Sequence, residues 1–205
     1  MARPTPESAM DCENVLLCGD LHVPYRAEGV PKAFKDMLLP GKMQHVVCTG
    51  NLCGAEEAAW LKSLAPRMTL VRGDFDDDDS VPETAVTTVG AFRIGVCHGH
   101  TVVPWGDVEA LATMARRLDC DILVTGHTHV QSVVEVGGRL LVNPGSMTGA
   151  FSATTAASAP AFQLLSLTGH AATVFSYGLA RGEVQVTKLT HTKGGGGSAA
   201  AAADA

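Results

Sequence analysis

Short apolar runs recur along the first two-thirds of the chain, and each is followed by polar residues. The runs cover residues 15–17, 45–47, 68–71, 94–96 and 122–124. Apolar residues at helical spacing occur between or after them, within residues 33–38, 58–64 and 111–118. Strands that alternate with helices form βαβ units, so this part of the chain is predicted to build a largely parallel sheet.

The pattern changes after residue 130, where short strands follow one another without helices. Residues 131–136 and 139–142 flank the pair Gly137-Gly138, which is a β-hairpin signal. Further strands are predicted at residues 161–167, 172–177 and 183–189. The predicted fold class is therefore α/β, with two mixed sheets packed face to face and helices outside them, a four-layer αββα sandwich.

One domain accounts for most of the chain, and we place it at residues 14–190. Residues 1–13 are polar and contain proline, so they are predicted to form a flexible arm. Residues 191–205 end in a low-complexity Gly/Ala stretch, which is predicted to be disordered and is either native or an engineered linker.

Charge and cysteine content narrow the function classes. The net charge of −6 argues against nucleic acid as the main partner, because phosphate binding needs a basic stripe. No apolar run is long enough for direct membrane insertion. The six cysteines show no zinc-site spacing and mostly lie within apolar runs, which is typical of a reduced cytoplasmic protein.

Seven polar residues stand at or just past the carboxyl ends of the predicted strands. They are Asp20, His22, Asn51, Asp74, His98, His127 and His129. Each motif alone is weak, since histidines on turns are commonly surface residues. Together they predict one pocket, because loops at these strand ends converge, and their carboxylate, amide and imidazole groups suit divalent cations. We expect His100 to line this pocket without ligating.

The order of these motifs resembles that of the calcineurin-like metallophosphoesterases. Longer strings resemble the branch that forms the small subunit of the retromer coat: GDLHVP at 19–24, CTGNLCG at 48–54, VRGDFD at 71–76, HGHTVVPWGD at 98–107 and VNPGSMTG at 142–149. The resemblance extends over residues 14–190. It implies up to two metal ions, Mn²⁺ or Zn²⁺. The implied first site is Asp20, His22, Asn51 and His129, and the implied second site is Asn51, Asp74, His98 and His127.

Two departures from the active phosphoesterases bear on chemistry. Those enzymes bridge the metals with an aspartate where this chain has Asn51, and they have an asparagine where it has Asp74. A neutral amide bridges cations less well than a carboxylate, so we expect weak metal binding. They also have a histidine at the position of Phe75. Phenylalanine cannot act as a general acid, and we expect Phe75 to pack beneath the site. We therefore predict no catalytic residue; the alternative is a functioning metal-dependent phosphoesterase or phosphodiesterase.

The resemblance also implies two protein-binding surfaces. The loop Val102, Val103, Pro104 and Trp105 would dock onto the retromer solenoid subunit, vacuolar protein sorting protein 35, with protein 26 in the same complex; burial in the core is the other interpretation of this apolar run. A second patch would bind regulators of endosomal GTPases, unless a helix covers it. Its predicted members are Met37, Leu164, Phe175, Tyr177 and Val186.

These implications together predict a scaffold without enzymatic activity. It would serve protein sorting from endosomes to the Golgi and the plasma membrane. Its location would be cytoplasmic and peripheral on endosomes, through the retromer complex, and its metal would not be required for the scaffold role.

Overall fold

The chain folds into eleven strands and three helices within residues 12–153, 155 and 158–194, which the computed structural model describes. The strands are β1 (Glu13–Cys18), β2 (His45–Cys48), β3 (Arg67–Leu70), β4 (Thr84–Val89), β5 (Phe92–Cys97), β6 (Ile122–Val124), β7 (Ser132–Val136), β8 (Arg139–Asn143), β9 (Ala161–Thr168), β10 (Ala171–Ala180) and β11 (Glu183–Thr192). The helices are α1 (Lys32–Met37), α2 (Ala55–Leu64) and α3 (Val108–Arg117). Among the helices so described, none combines the length and apolar character needed to cross a bilayer.

The strands form two mixed sheets. The first has the order β11-β10-β9-β1-β2-β3, in which β1, β2 and β3 are parallel and β9 to β11 form an antiparallel meander. The second has the order β4-β5-β6-β8-β7, with parallel strands β5, β6 and β8 between antiparallel edge strands. The predicted class of two mixed sheets is therefore confirmed.

Alternating residues of the strands divide the core into layers. On β1, Val15 and Leu17 face the second sheet, whereas Leu16 and Cys18 face the opposite way, as the two-residue period of a strand requires. The outer side of the first sheet packs against Phe34 of α1 and Leu61 of α2. The outer side of the second sheet packs against α3. The order of layers is thus helix, sheet, sheet, helix.

Several element boundaries differ from those predicted. Strand β4 was not predicted, because its sequence TAVTTV lies at a sheet edge and, apart from the buried Val89, alternates between exposed and half-buried positions. The domain is also longer at both ends than residues 14–190: β1 begins at Glu13, and β11 continues to Thr192. The prediction that disorder begins at residue 191 is therefore wrong for the first residues of the tail, because His191 is buried and Lys193 donates to Asp121 (2.7 Å). The rest of the predicted arm and tail, residues 1–11 and 195–205, lies outside the described residues.

Candidate metal centre

The seven predicted ligand residues lie together where the strands of both sheets end. The first sheet supplies Asp20 and His22 after β1, Asn51 after β2 and Asp74 after β3. The second sheet supplies its histidines in the same way: His98 directly follows β5, and His127 and His129 follow β6. The site is therefore built across the interface of the two sheets, so the packing of the sheets sets the distances between ligands.

The backbone of the site is held in unusual conformations. Five of the seven residues have a φ between 50° and 68°, in the left-handed region: Asp20, His22, Asn51, His127 and His129. Such a conformation costs of order 1–3 kcal/mol for a residue other than glycine and tends to cluster at functional sites. Backbone hydrogen bonds stabilise it, from Asp20 N–H to the Gly50 carbonyl (2.9 Å) and from His22 N–H to the Asn51 carbonyl (2.9 Å). These turns direct consecutive polar side chains into one pocket.

The ligating side chains form two triads. The first triad, Asp20, His22 and His129, is buried throughout. The second triad is Asp74, His98 and His127, of which His98 is buried and Asp74 is partly accessible. Within each triad the potential ligand atoms lie within 4.8 Å of one another. Asn51 lies between the triads, in contact with both.

The histidine tautomers fit a cation at each triad. The Nδ1 atom of His98 is 2.8 Å from the Thr49 carbonyl, and that of His129 is 2.7 Å from the Ala150 carbonyl. A carbonyl can only accept, so each Nδ1 bears a hydrogen, and each Nε2 faces the pocket, where it offers a lone pair when the imidazole is neutral. His127 Nε2 is buried without a hydrogen-bonding partner. Carboxylate and imidazole ligands of this kind suit Zn²⁺ or Mn²⁺.

Burial and hydrogen bonding shift the pKa values in opposite directions across the site. Burial raises the pKa of Asp20, although nearby histidines oppose it. Burial, helped by the charge of Arg26, lowers the pKa of His22 to about 4, so this imidazole is neutral at pH 7. At the second triad, burial also disfavours both charged groups, but the hydrogen bonding of Asp74 with its histidines outweighs it, so the pKa of Asp74 falls and that of His98 rises. A cation would replace this pairing.

Phe75 does not pack beneath the site, as was expected, but stands at its mouth with 49% of its surface exposed. Its ring contacts His22 edge-on at 5.4 Å between centroids, and the guanidinium of Arg26 lies 4.2 Å from its centroid. With Trp105 and Phe151 it lines a cavity of about 340 Å³ over the triads. Sequence reasoning missed Arg26 and Phe151, since neither belongs to a metal-ligand motif. His100 lies beside the site, 5.3 Å from His98 between ring centroids, and outside both triads.

The apolar loop at residues 102–105 divides between core and surface. Val103 is 72% exposed and Trp105 is 50% exposed, and Pro104 is exposed as well. The prediction that Val102 belongs to the exposed surface is wrong: only 7% of it is exposed, because it packs in the core layer that contains Ala112 and Ala115 of α3. The Trp105 ring lies 4.5 Å from that of His127, so the loop borders the second triad directly.

Comparison with known proteins identifies the family. The calcineurin-like phosphoesterase superfamily domain matches residues 7–166. The vacuolar protein sorting-associated protein 29 of Schizosaccharomyces pombe is 37% identical over 183 residues, which are 87% of this chain and 98% of that protein. The chain belongs to the vacuolar protein sorting-associated protein 29 family, within the phosphoesterase superfamily.

Solved structures of this family share the fold. Vps29 from Cryptosporidium parvum superimposes with a TM-score of 0.84 at 41% identity, covering 89% of this chain and 99% of that one. Wild-type Vps29 from Entamoeba histolytica, solved in complex with zinc, gives 0.82 at 46% identity, covering 86% and 98%. The fold of this chain is thus found in a family member that binds zinc.

The second predicted patch lies beside α1, on the outer side of the first sheet. Four of its five members, Met37, Leu164, Phe175 and Tyr177, line a groove of about 280 Å³ that we call the α1 groove. The fifth, Val186, is 49% exposed and pairs with Tyr177 across β10 and β11. Leu164, Phe175 and Tyr177 are half-buried, and Met37 is 45% exposed. Helix α1 borders this groove and leaves it open.

Proposed function

We propose that this protein is a scaffold subunit of the retromer complex without enzymatic activity. It binds the solenoid subunit, vacuolar protein sorting protein 35, through the face of its degenerate metal pocket, with protein 26 in the same complex. The observation that supports this most is the exposure of Val103 and Trp105 beside the two triads. Membership of the vacuolar protein sorting-associated protein 29 family supports the retromer assignment.

The exposed loop is held in one shape before any partner binds. Val102 anchors it in the core, and its backbone N–H donates to the Gly99 carbonyl (3.1 Å). The indole N–H of Trp105 donates to the His100 carbonyl (2.9 Å). A preorganised loop loses little conformational entropy on binding, and large apolar side chains that are desolvated at the centre of an interface contribute most of its affinity.

The mouth of the pocket lacks a general acid at position 75, a group that phosphate-ester hydrolysis uses. Phe75 stands where active members of the superfamily have a histidine, and its benzyl side chain can neither protonate a leaving oxygen nor stabilise a phosphoryl oxygen. The second candidate function, a metal-dependent phosphoesterase, is favoured by the two intact triads alone. We therefore propose that Mn²⁺ or Zn²⁺ binds weakly and is not required for the scaffold role.

The proposed cellular role follows from the complex. The protein acts in the cytoplasm, peripherally on endosomes, in sorting to the Golgi and the plasma membrane. The α1 groove with Val186 is the proposed surface for regulators of endosomal GTPases, because its half-buried aromatic and aliphatic side chains offer a concave apolar site. This surface and the 102–105 loop involve separate residues, so the two can be tested independently.

The decisive experiment measures binding of the purified solenoid subunit by calorimetry. In Val103→Asp a carboxylate is forced into a desolvated apolar contact, and we expect affinity to fall about 100-fold or more, since an unpaired buried charge costs about 3–5 kcal/mol.

The matched control is Val186→Asp, the same substitution at a valine that is also exposed but lies on β11. We expect it to bind the solenoid subunit as the wild type does. Wild-type affinity in a folded Val103→Asp protein would refute the proposed docking surface.

A further inference from the structure

The side chain of Asn51 is the centre of a hydrogen-bond network that spans both triads. Its Nδ2 atom lies 2.9 Å from Asp74 Oδ1 and 3.0 Å from His98 Nε2, both in the second triad. The same atom is 3.4 Å from Asp20 Oδ1 and 3.5 Å from His22 Nε2, in the first triad. The residue is 1% exposed, so these contacts are made away from water.

The orientation of this amide is set from behind. The backbone N–H of Phe75 donates to Asn51 Oδ1 at 2.9 Å. With the amide reversed, the N–H of Phe75 would face an NH₂ group, and the amide oxygen would face the carboxylates of Asp20 and Asp74. The first arrangement would place a donor against a donor and the second an acceptor against acceptors, so the NH₂ group points into the pocket. Gly73 packs against the same side chain so closely that a Cβ there would overlap Asn51 Oδ1.

Asp20 shows what a carboxylate does in the same setting. Its Oδ2 accepts the backbone N–H of His127 (2.9 Å), and its Oδ1 faces the pocket, 3.4 Å from Asn51 Nδ2 and 3.6 Å from His129 Nε2. A carboxylate thus has one oxygen for the backbone and one for a cation. An amide has a single oxygen, and in Asn51 it already accepts the N–H of Phe75, so that only its second lone pair remains for a cation.

We infer that Asn51 is a hydrogen-bonded substitute for the shared metal ligand, so that the pocket keeps its shape without metal. The two hydrogens of the NH₂ group face the carboxylates of Asp74 and Asp20, which would otherwise repel one another or need a cation between them. Metal uptake at the shared position has to compete with these bonds and with the Phe75 contact. The bonds of Asn51 lie within the pocket, so this role of the residue does not depend on docking to the solenoid subunit.

The test is Asn51→Asp, which supplies the second oxygen and removes the NH₂ donor. Thermal unfolding is measured in EDTA and with added ZnCl₂, and zinc binding is measured by calorimetry. We expect the wild type to melt within about 2 °C of the same temperature in both conditions. The variant should melt at least about 5 °C below the wild type in EDTA, recover this loss in zinc, and bind zinc at least about tenfold more tightly.

Asn143→Asp is the matched control, since Asn143 is also buried, accepts the Gly145 N–H through Oδ1 and donates through Nδ2 to the Gly126 carbonyl. It should lose stability in both conditions, because no cation replaces its donor. The inference is overturned if Asn51→Asp melts at the same temperature as the wild type in EDTA. It is also overturned if zinc raises the melting temperatures of Asn51→Asp and the wild type equally.

A second measurement decides the question if Asn51→Asp does not fold in either condition. In NMR spectra of the wild type in EDTA, we expect the side-chain NH₂ of Asn51 to exchange with solvent far more slowly than in an unfolded peptide. Exchange at the unfolded rate would show that this NH₂ group is not bonded within the pocket and would reject the inference.

Discussion

The metal pocket and the loop beside it distribute polar and apolar side chains in opposite ways. The pocket encloses Asp20 and His98, which are almost completely buried, whereas the loop presents Val103 and Trp105 to solvent. Buried ionisable groups are stable only when they are paired, and exposed apolar groups commonly mark interfaces. The contrast indicates that the buried polar residues of the pocket bind one another or a cation, whereas the exposed apolar residues of the loop are suited to binding another protein.

The same contrast exists within the loop, between two neighbouring valines. Val102 is 7% exposed and Val103 is 72% exposed. The residue that holds the loop and the residue that offers a contact are therefore adjacent in sequence and chemically identical. They form a natural pair for testing the comparison.

The largest effect is expected from Val102→Asp. An unpaired carboxylate in the core layer beneath α3 should lower the free energy of unfolding by about 3–5 kcal/mol, whereas Val103→Asp should change it by no more than about 0.5 kcal/mol. Thermal unfolding of the two variants measures the difference, at roughly 2–4 °C per kcal/mol for a chain of this size. Equal melting temperatures would mean that the two side chains do not differ in burial.

Metal binding should show the next largest effect. The wild type should bind Mn²⁺ or Zn²⁺ weakly, and His129→Ala should abolish detectable binding at the first triad, because it removes an Nε2 ligand. His170→Ala is the control, since His170 is exposed and outside both triads. Calorimetry on EDTA-treated protein measures both. Tight binding of two ions by the wild type would contradict the predicted weakness, and an unaltered His129→Ala titration would remove this residue from the site.

The pH dependence of metal binding has a definite direction. Burial opposes the charged form of His98, but its hydrogen bond to Asp74 and the charge of Asp20 outweigh burial and raise its pKa, whereas burial and Arg26 lower the pKa of His22 to about 4. As the pH falls, His98 therefore becomes protonated before His22 does. We expect metal binding at the second triad to be lost at a higher pH than binding at the first, measured by titrating zinc at several pH values; simultaneous loss would argue that the triads do not bind separately.

A smaller effect is expected at the surface formed by the α1 groove and Val186. Val186 is exposed on the edge strand of the first sheet, so Val186→Asp should change the free energy of unfolding by at most about 0.5 kcal/mol. Binding of a regulator of endosomal GTPases should nevertheless weaken, since the carboxylate adds charge to an apolar surface. Comparing regulator binding by Val186→Asp and Val103→Asp separates the two surfaces, and the assignment fails if both variants bind the regulator equally well.

The smallest effect is expected in phosphatase assays. Hydrolysis of small phosphomonoesters and phosphodiesters should stay near background, because a general acid typically contributes about 10²- to 10⁴-fold and Phe75 cannot supply one. His98→Ala should therefore leave the measured rate unchanged. Robust metal-dependent turnover that disappears in His98→Ala would favour the phosphoesterase function instead.

Strand and helix patterns along the chain were sufficient to predict the two-sheet fold, because hydrophobic periodicity is a local property. The same patterns placed the polar residues at strand ends, and strand ends on one side of a parallel sheet must converge. These positions at successive strand ends predicted a common pocket, although the packing of one sheet against the other is what brings Asp20 to His98 and His127. The edge strand β4 escaped prediction because its half-exposed face has weak hydrophobic contrast.

The sequence by itself therefore determined most of the succession of elements and which residues can reach the pocket. Only the tertiary structure decided that Val102 is buried while Val103 is exposed, because that difference depends on α3, which packs against one side of the loop. It also decided that Phe75 stands at the mouth and that the Asn51 NH₂ group faces the triads. Burial and hydrogen-bond direction are set by groups distant in sequence, so no local pattern contains them.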